Sequence, residues 1–295
     1  MDKKQLESTR KAGQIVIEVK KYAKSFIKKD MHLLEIAEKI EDKIIELGGE
    51  LAFPCNLGIN EYTAHYTPHY NDESKAYGLL TVDFGVSIEG FSADNAFSID
   101  LENDNQNKKL ILASEVALTN ALKAIKQKKS LGEIGQTIQN VAEEYGFSPI
   151  KNLSGHGIEE YELHASPTIP NFNNNNPATL KEGVYAIEPF ITTGIGEVYD
   201  GKNSGIYELK NAKNVRDQKA REILEFIGET YGTLPFCSRW LVKKFGTRAL
   251  ISLKNLETAG VVHQFDQLIE KSKSPVAQTE ATIIISDGKV EIVTD

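Results

Sequence analysis

Five side chains of the metal-ligating type, Asp83, Asp94, His156, Glu188 and Glu280, stand in segments that otherwise read as apolar strands or strand ends. Burying an unpaired carboxylate costs several kcal/mol or forces it to take up a proton. A shared cation is the simplest reason for four such acids in one chain. Four ionised carboxylates carry a charge of −4, which two divalent ions cancel; adding a bridging hydroxide leaves −1. The set therefore suits two ions in a dry cleft better than one. Mixed carboxylate and imidazole ligands favour Co, Mn, Fe or Zn over calcium. Two such ions about 3.5–4 Å apart can share a water, lower its pKa and polarise a substrate oxygen. The compact zinc spacings CxxC and HExxH are absent. Taken singly, an Asp on a strand is usually an edge or capping residue, and a single His is more often a satisfied core or surface side chain.

These residues need a scaffold that brings distant positions together. Apolar periodicity predicts a helix over about 3–28 and a second one capped by Asp30 and ended by Gly48-Gly49. Helices follow at about 108–128 and 131–145. The runs Leu79 to Ile88 and Phe91 to Ile99 meet at Glu89-Gly90, a tight hairpin turn. Facing positions in an antiparallel hairpin share a constant sum. That turn sets the sum at 179, and Asp83 with Asp94 gives 177, so the two carboxylates lie within a residue or two of directly opposite. Later segments read as a strand at Ile150 to Leu153, a turn at Ser154-Gly155-His156-Gly157, and a strand at Gly183 to Phe190. Strands return at Val276 to Ile285 and Lys289 to Val293. Between them, about 195–272 reads as helix-rich. The expected division is a catalytic domain of 1–194 plus 273–295, with 195–272 as an inserted helical subdomain.

Composition narrows the function classes. A chain of 295 residues with net charge −8 argues against a nucleic-acid-binding face. The lysines at 108–109, 126 and 128–129 read as solvated helix faces. Two cysteines, Cys55 and Cys237, provide no disulfide framework, and Cys55 reads as a packed thiol. No signal-peptide pattern and no apolar run of membrane-spanning length is present. A cytoplasmic, monomeric protein is the expectation.

Several segments carry a resemblance to a known family. Ala52-Phe53-Pro54-Cys55-Asn56 leading to Ala64-His65-Tyr66-Thr67-Pro68 resembles the methionine aminopeptidases. So do Val82-Asp83-Phe84-Gly85 with Ala93-Asp94, Asn152 to Ile158 around His156, Ala186-Ile187-Glu188-Pro189-Phe190, and Ala277-Gln278-Thr279-Glu280. Tyr231 to Phe236 and Arg239-Trp240-Leu241 look like the insertion of the type II branch, winged-helix-like in that group. The start of the chain, close to the first ligand segments, matches the archaeal-like form without an N-terminal extension.

The resemblance implies a pita-bread α/β fold, a curved antiparallel sheet backed by helices. It implies removal of the initiator methionine from nascent proteins when the second residue is small. It also implies two divalent ions: Asp83 would chelate one alone, Asp94 and Glu280 would bridge both, and His156 and Glu188 would complete the second. Glu188 would shuttle a proton. His65 would lie beside the substrate, and His164 would bond the scissile carbonyl or its tetrahedral successor. Phe53, Leu163 and Phe190 would form the methionine slot. Nascent polypeptides would be the partners, with transient ribosome contact and neither nucleic-acid specificity nor a membrane. Two rival readings are a proline dipeptidase-like relative, which would carry an extra domain before the first Asp, and a non-catalytic ribosome- or RNA-binding relative, which would lose ligands.

Overall fold

The computed structural model describes residues 1–211 and 215–295. The chain opens with α1 (Lys3–Phe26) and α2 (Leu33–Glu46), then three short strands, β1 (Glu50–Leu51), β2 (Asn56–Ile59) and β3 (Tyr62–Ala64). A long hairpin follows, β4 (Leu79–Ile88) and β5 (Phe91–Asp100), then α3 (Asn105–Lys126) and α4 (Leu131–Glu144). Next come β6 (Ser148–Pro149), β7 (Ser154–Glu159), β8 (Glu162–Pro170), β9 (Gly183–Ile187), β10 (Phe190–Thr192) and β11 (Val198–Leu209). The remainder is α5 (Gln218–Thr230), β12 (Phe236–Cys237), α6 (Ser238–Phe245), α7 (Ala249–Thr258), β13 (Val262–Glu270), β14 (Val276–Gln278), β15 (Ala281–Ser286) and β16 (Lys289–Ile292). Among the described residues no helix is long and apolar enough to cross a membrane.

The helices form where capping and periodicity agree. Asp2 and Asp104 accept backbone N–H bonds at the starts of α1 and α3, and Ser130 with Glu133 closes a reciprocal capping box on α4. The expected cap at Asp30 is not made. Asp30 sits at φ 65° in the turn ahead of α2, and His32 occupies the cap position without a side-chain bond. Asp tolerates that left-handed conformation better than most residues. Gly48, at φ 82°, follows α2 as a left-handed terminator.

The sheet is antiparallel throughout its described pairings and is curled into four ladders. These run β1-β4-β2 with β5 beside β4, β14-β10-β6, β12-β11-β13-β3, and β16-β15-β9-β7-β8. Side chains stitch the ladders where strands splay. The backbone N–H of Asp94 donates to Thr282 Oγ1 (2.7 Å), whose hydroxyl donates back to the Asp94 carbonyl (2.9 Å). Ser98 Oγ and the backbone of Gln278 exchange bonds of 2.9 and 3.0 Å. Helices α1 and α2 bury Val16, Val19, Ile36 and Ile40 in one core with residues of β2, β4 and β5, α1 lying on β4 and β5 and α2 on β1 and β2. Helices α3 and α4 bury Leu110, Ala117, Ile134 and Ile138 with Ile187, Ile191 and Ile283. Two helix pairs thus back the curved sheet.

Three further parts of the sequence reading change. Ile150 to Leu153 is not a strand: β6 ends at Pro149 and β7 begins only at Ser154, with a turn between them. Ser154 to Gly157 is not a turn but part of β7. The glycines serve close strand approach: a Cβ on Gly155 would lie 2.4 Å from the Ala186 carbonyl oxygen, and one on Gly157 2.5 Å from that of Ser166. The stretch 195–272 is also less helical than its composition implies. It carries α5, α6 and α7 around their own core of Ile223, Ile227, Phe236, Trp240 and Leu253. It also contains β11 and β13, which pair with each other and, through β13, with β3. Residues 212–214 of that stretch lie outside the described residues.

Candidate metal centre

Each acid arrives by a distinct local rule. Glu89 and Gly90 both hold positive φ, 52° and 84°, the signature of a two-residue hairpin turn that matches strand twist. The register it sets pairs Asp94 with Gly85 and Asp83 with Ala96. Asp83 and Asp94 are therefore diagonal neighbours on one face. His156 pairs with Ala186 across β7 and β9, two residues from Glu188 at the strand end. Glu280 sits between β14 and β15, and its backbone N–H donates 2.9 Å to the Ala96 carbonyl.

The side chains converge. Asp94, His156 and Glu280 each place a ligand atom within 4.8 Å of the others. His156 Nε2 lies 3.8 Å from Asp94 Oδ2 and 3.6 Å from Glu188 Oε1. His156 Nδ1 meets the Gly157 carbonyl at 3.0 Å. A carbonyl only accepts, so Nδ1 carries the proton and Nε2 presents its lone pair to the acids, the usual arrangement of a ligating imidazole. Gln278 Nε2 donates towards Glu188 Oε2 (3.3 Å) and Glu280 Oε2 (3.4 Å).

These donors are too few. Asp83 Oδ1, Asp94 Oδ1 and Glu280 Oε1 are buried with no hydrogen-bond partner among the described residues. Burial raises the pKa of Asp83 to about 7, tempered by the nearby Gln278 amide. Burial, then the charges of neighbouring carboxylates, raises Asp94, Glu188 and Glu280 well above the usual carboxylate range. Unpartnered oxygens, mutual repulsion and one correctly presented imidazole fit a divalent cation. The donor set, oxygen with a single nitrogen, suits a first-row transition ion.

All ten residues singled out from the sequence border one cavity of about 300 Å³. Phe53, Leu163 and Phe190 are buried in its wall, with Phe53 and Leu163 joined by Leu234 in one apolar cluster. His65 Nδ1 lies 3.2 Å from the Asp266 carbonyl, so Nδ1 donates and Nε2 is left as an acceptor. Desolvation by the cavity walls lowers the pKa of His65. The His164 ring packs edge-on to His156, centroids 4.7 Å apart. Desolvation, then His156 and His65, lower its pKa, so both rings are neutral near pH 7. His32, His69 and His263 are exposed, away from the cavity.

Sequence reasoning missed several lining residues, among them Asn56, Ile206, Pro235, Phe265 and Leu268. It also assigned no role to Gln278. The signal was present: Gln278 precedes Glu280 by two positions, the strand spacing that returns a side chain to the same face.

Comparison with known proteins agrees with this geometry. The sequence pattern of metallopeptidase family M24 matches residues 7–223. The methionine aminopeptidase of Methanocaldococcus jannaschii is 41% identical over 286 residues, covering 96% of each chain. Among solved structures, a thermophilic Arx1 superposes with a TM-score of 0.85 at 16% identity, over 99% of this chain and 91% of that one. The methionine aminopeptidase of Thermotoga maritima superposes with a TM-score of 0.71 at 21% identity, over 100% and 98% of the two chains. The two superpositions establish the pita-bread architecture. Identity over almost the whole length establishes more: the chain belongs to metallopeptidase family M24, within its methionine aminopeptidase group.

Proposed function

We propose that the protein is a metal-dependent aminopeptidase that removes the initiator methionine from nascent chains when the second residue is small. The observation that carries this reading is the convergence of four buried carboxylates, three of them with an unpartnered oxygen, and one imidazole beside an apolar slot in a single cavity. Asp83, Asp94, His156, Glu188 and Glu280 would hold two divalent ions. Such ions, when bound, supply Lewis acidity and a nucleophile at neutral pH. The remaining chemistry belongs to the chain.

Amide hydrolysis needs support for the developing oxyanion and a proton for the leaving amine. His164, neutral and on the cavity wall, donates to the scissile carbonyl oxygen. Glu188, facing the cavity beside His156 Nε2 (3.6 Å), accepts a proton and delivers it to the leaving nitrogen. Neutral His65 lies beside the substrate with Nε2 free to accept. Phe53, Leu163 and Phe190 line a deformable apolar slot suited to a thioether. The acid cluster favours a free α-amine, which restricts cleavage to the amino terminus.

We assign the stretch 195–272 to an inserted subdomain whose residues Ile206, Pro235, Phe265 and Leu268 complete the cavity wall. The protein would act as a cytoplasmic monomer on nascent polypeptides, with only transient ribosome contact. The test supplies chelated protein with Mn²⁺ or Co²⁺ and offers Met-Ala-Ser and Ala-Pro peptides. Methionine release from the first alone, abolished by Glu188→Ala, is expected. Cleavage of Ala-Pro, or of neither peptide, overturns the reading.

A further inference from the structure

A second buried polar cluster lies away from the acids and joins three distant parts of the chain. Arg239 and Glu41 are 3% and 4% exposed. Arg239 Nη1 donates to Glu41 Oε2 (2.7 Å) and Nη2 to Glu41 Oε1 (2.8 Å), a two-pronged pair between α6 and α2. Glu41 accepts two further bonds, from Trp240 Nε1 (2.9 Å) and from the backbone N–H of Cys55 (3.1 Å). The other donors of Arg239 turn to the opposite end of the same loop. Nε donates to the Pro68 carbonyl (3.0 Å) and Nη2 to Thr67 Oγ1 (3.3 Å). The Thr67 hydroxyl in turn donates to the Cys55 carbonyl (2.8 Å).

The segment 55–68 is thus gripped at both ends by one ion pair. Between the grips lies His65, on the cavity wall. Its backbone is left-handed, φ 58°, uncommon for a residue other than glycine. Such a conformation persists only where the surroundings over-determine it. Two anchors are visible: the ring bond to the Asp266 carbonyl on β13, and the Arg239 contacts two and three residues further on. Stability alone does not explain the pair, because replacing a buried ion pair by packed apolar residues is often neutral or favourable. A planar guanidinium that spends its spare donors on the His65 loop defines geometry instead.

We propose that Arg239, held by Glu41, is a positioning residue that fixes His65 in its left-handed conformation and aims Nε2 into the cavity. Through it, the inserted helices set the shape of the substrate site. The activity arm of the test rests on the aminopeptidase reading; the spectroscopic arm does not.

The test is a double-mutant cycle on metal-loaded protein with His65→Ala, Arg239→Lys and both together, reading kcat/KM on Met-Ala-Ser. Lysine keeps the charge but loses the fork. Displacing a substrate-facing group by about 1 Å costs up to about 10²-fold, so Arg239→Lys is expected to lower kcat/KM at least about tenfold in the wild-type background and less than about twofold in the His65→Ala background. A full further tenfold loss there would make the roles independent and overturn the proposal. In parallel, ¹⁵N–¹H spectra of the histidine rings follow the His65 Nδ1–H. It is expected to be protected and in one tautomer in the parent and to exchange faster in Arg239→Lys. An unchanged signal overturns the proposal. Should Arg239→Lys fail to fold, Thr67→Val, which removes only one grip, reads the same two quantities. If the parent releases no methionine, the aminopeptidase reading fails and the ring spectra alone decide this one.

Discussion

The molecule buries carboxylates in two places and treats them in opposite ways. Glu41 receives four donors, two from Arg239 and one each from Trp240 and the Cys55 backbone. The quartet of Asp83, Asp94, Glu188 and Glu280 receives little beyond the amide of Gln278, and three of its oxygens have no partner among the described residues. A buried polar group left unsatisfied costs about 1–3 kcal/mol, more when charged. The satisfied cluster is architecture, complete within the chain. The unsatisfied one is a site whose missing partner comes from outside. Polar bookkeeping, more than burial itself, separates the two.

Mutations sharpen this contrast. The largest effect is expected at the satisfied cluster, where Glu41→Ala strands the Arg239 charge and should destabilise by about 3–5 kcal/mol, read from urea unfolding. A loss below about 1 kcal/mol would mean that water or another acid compensates. Next, His164→Ala should lower kcat by about 10²–10³-fold, the effect of losing one oxyanion donor, with metal content intact by elemental analysis. Loss of metal instead would move His164 into the ligand set.

The pH dependence is smaller and belongs to the unsatisfied cluster. In chelated protein the folded-state pKa values of the quartet lie above their unfolded values, about 7 for Asp83. Their contribution is therefore complete below the unfolded carboxylate range of about 4 and is lost as pH rises through the folded values. The midpoint of thermal unfolding should fall between about pH 4 and pH 8 when metal is removed, and this fall should vanish with Mn²⁺. A chelated protein whose midpoint rises over that window would contradict the assignment. Smallest of all, Glu280→Gln removes one repelling charge and should stabilise chelated protein at pH 7.5 by roughly 1 kcal/mol.

Much of the site was legible because its signals are local. The Glu89-Gly90 turn fixed where Asp83 and Asp94 meet, and the hairpin register has the constant sum that the turn implies. Helices α1, α3 and α4 follow from apolar periodicity. The errors arose where tertiary contacts override local preference. Gly155 and Gly157 look like turn residues, yet they are small because other backbone passes within van der Waals reach. Strand β11 was missed because Asp200, Gly201, Lys202, Asn203, Ser204 and Gly205 interrupt its alternation, and its register against β13 shifts twice at the same place. Arg239 stood out within its segment, but nothing in the sequence linked it to Glu41, 198 positions away.

The central claim is that the unsatisfied acids are completed by divalent cations. Anomalous diffraction from crystals soaked in Mn²⁺ tests it directly. The account predicts two peaks in the cavity about 3.5–4 Å apart, each within coordination distance of Asp94 and Glu280. Mn²⁺ peaks confined to surface carboxylates, with none between His156 and Asp83, would contradict it.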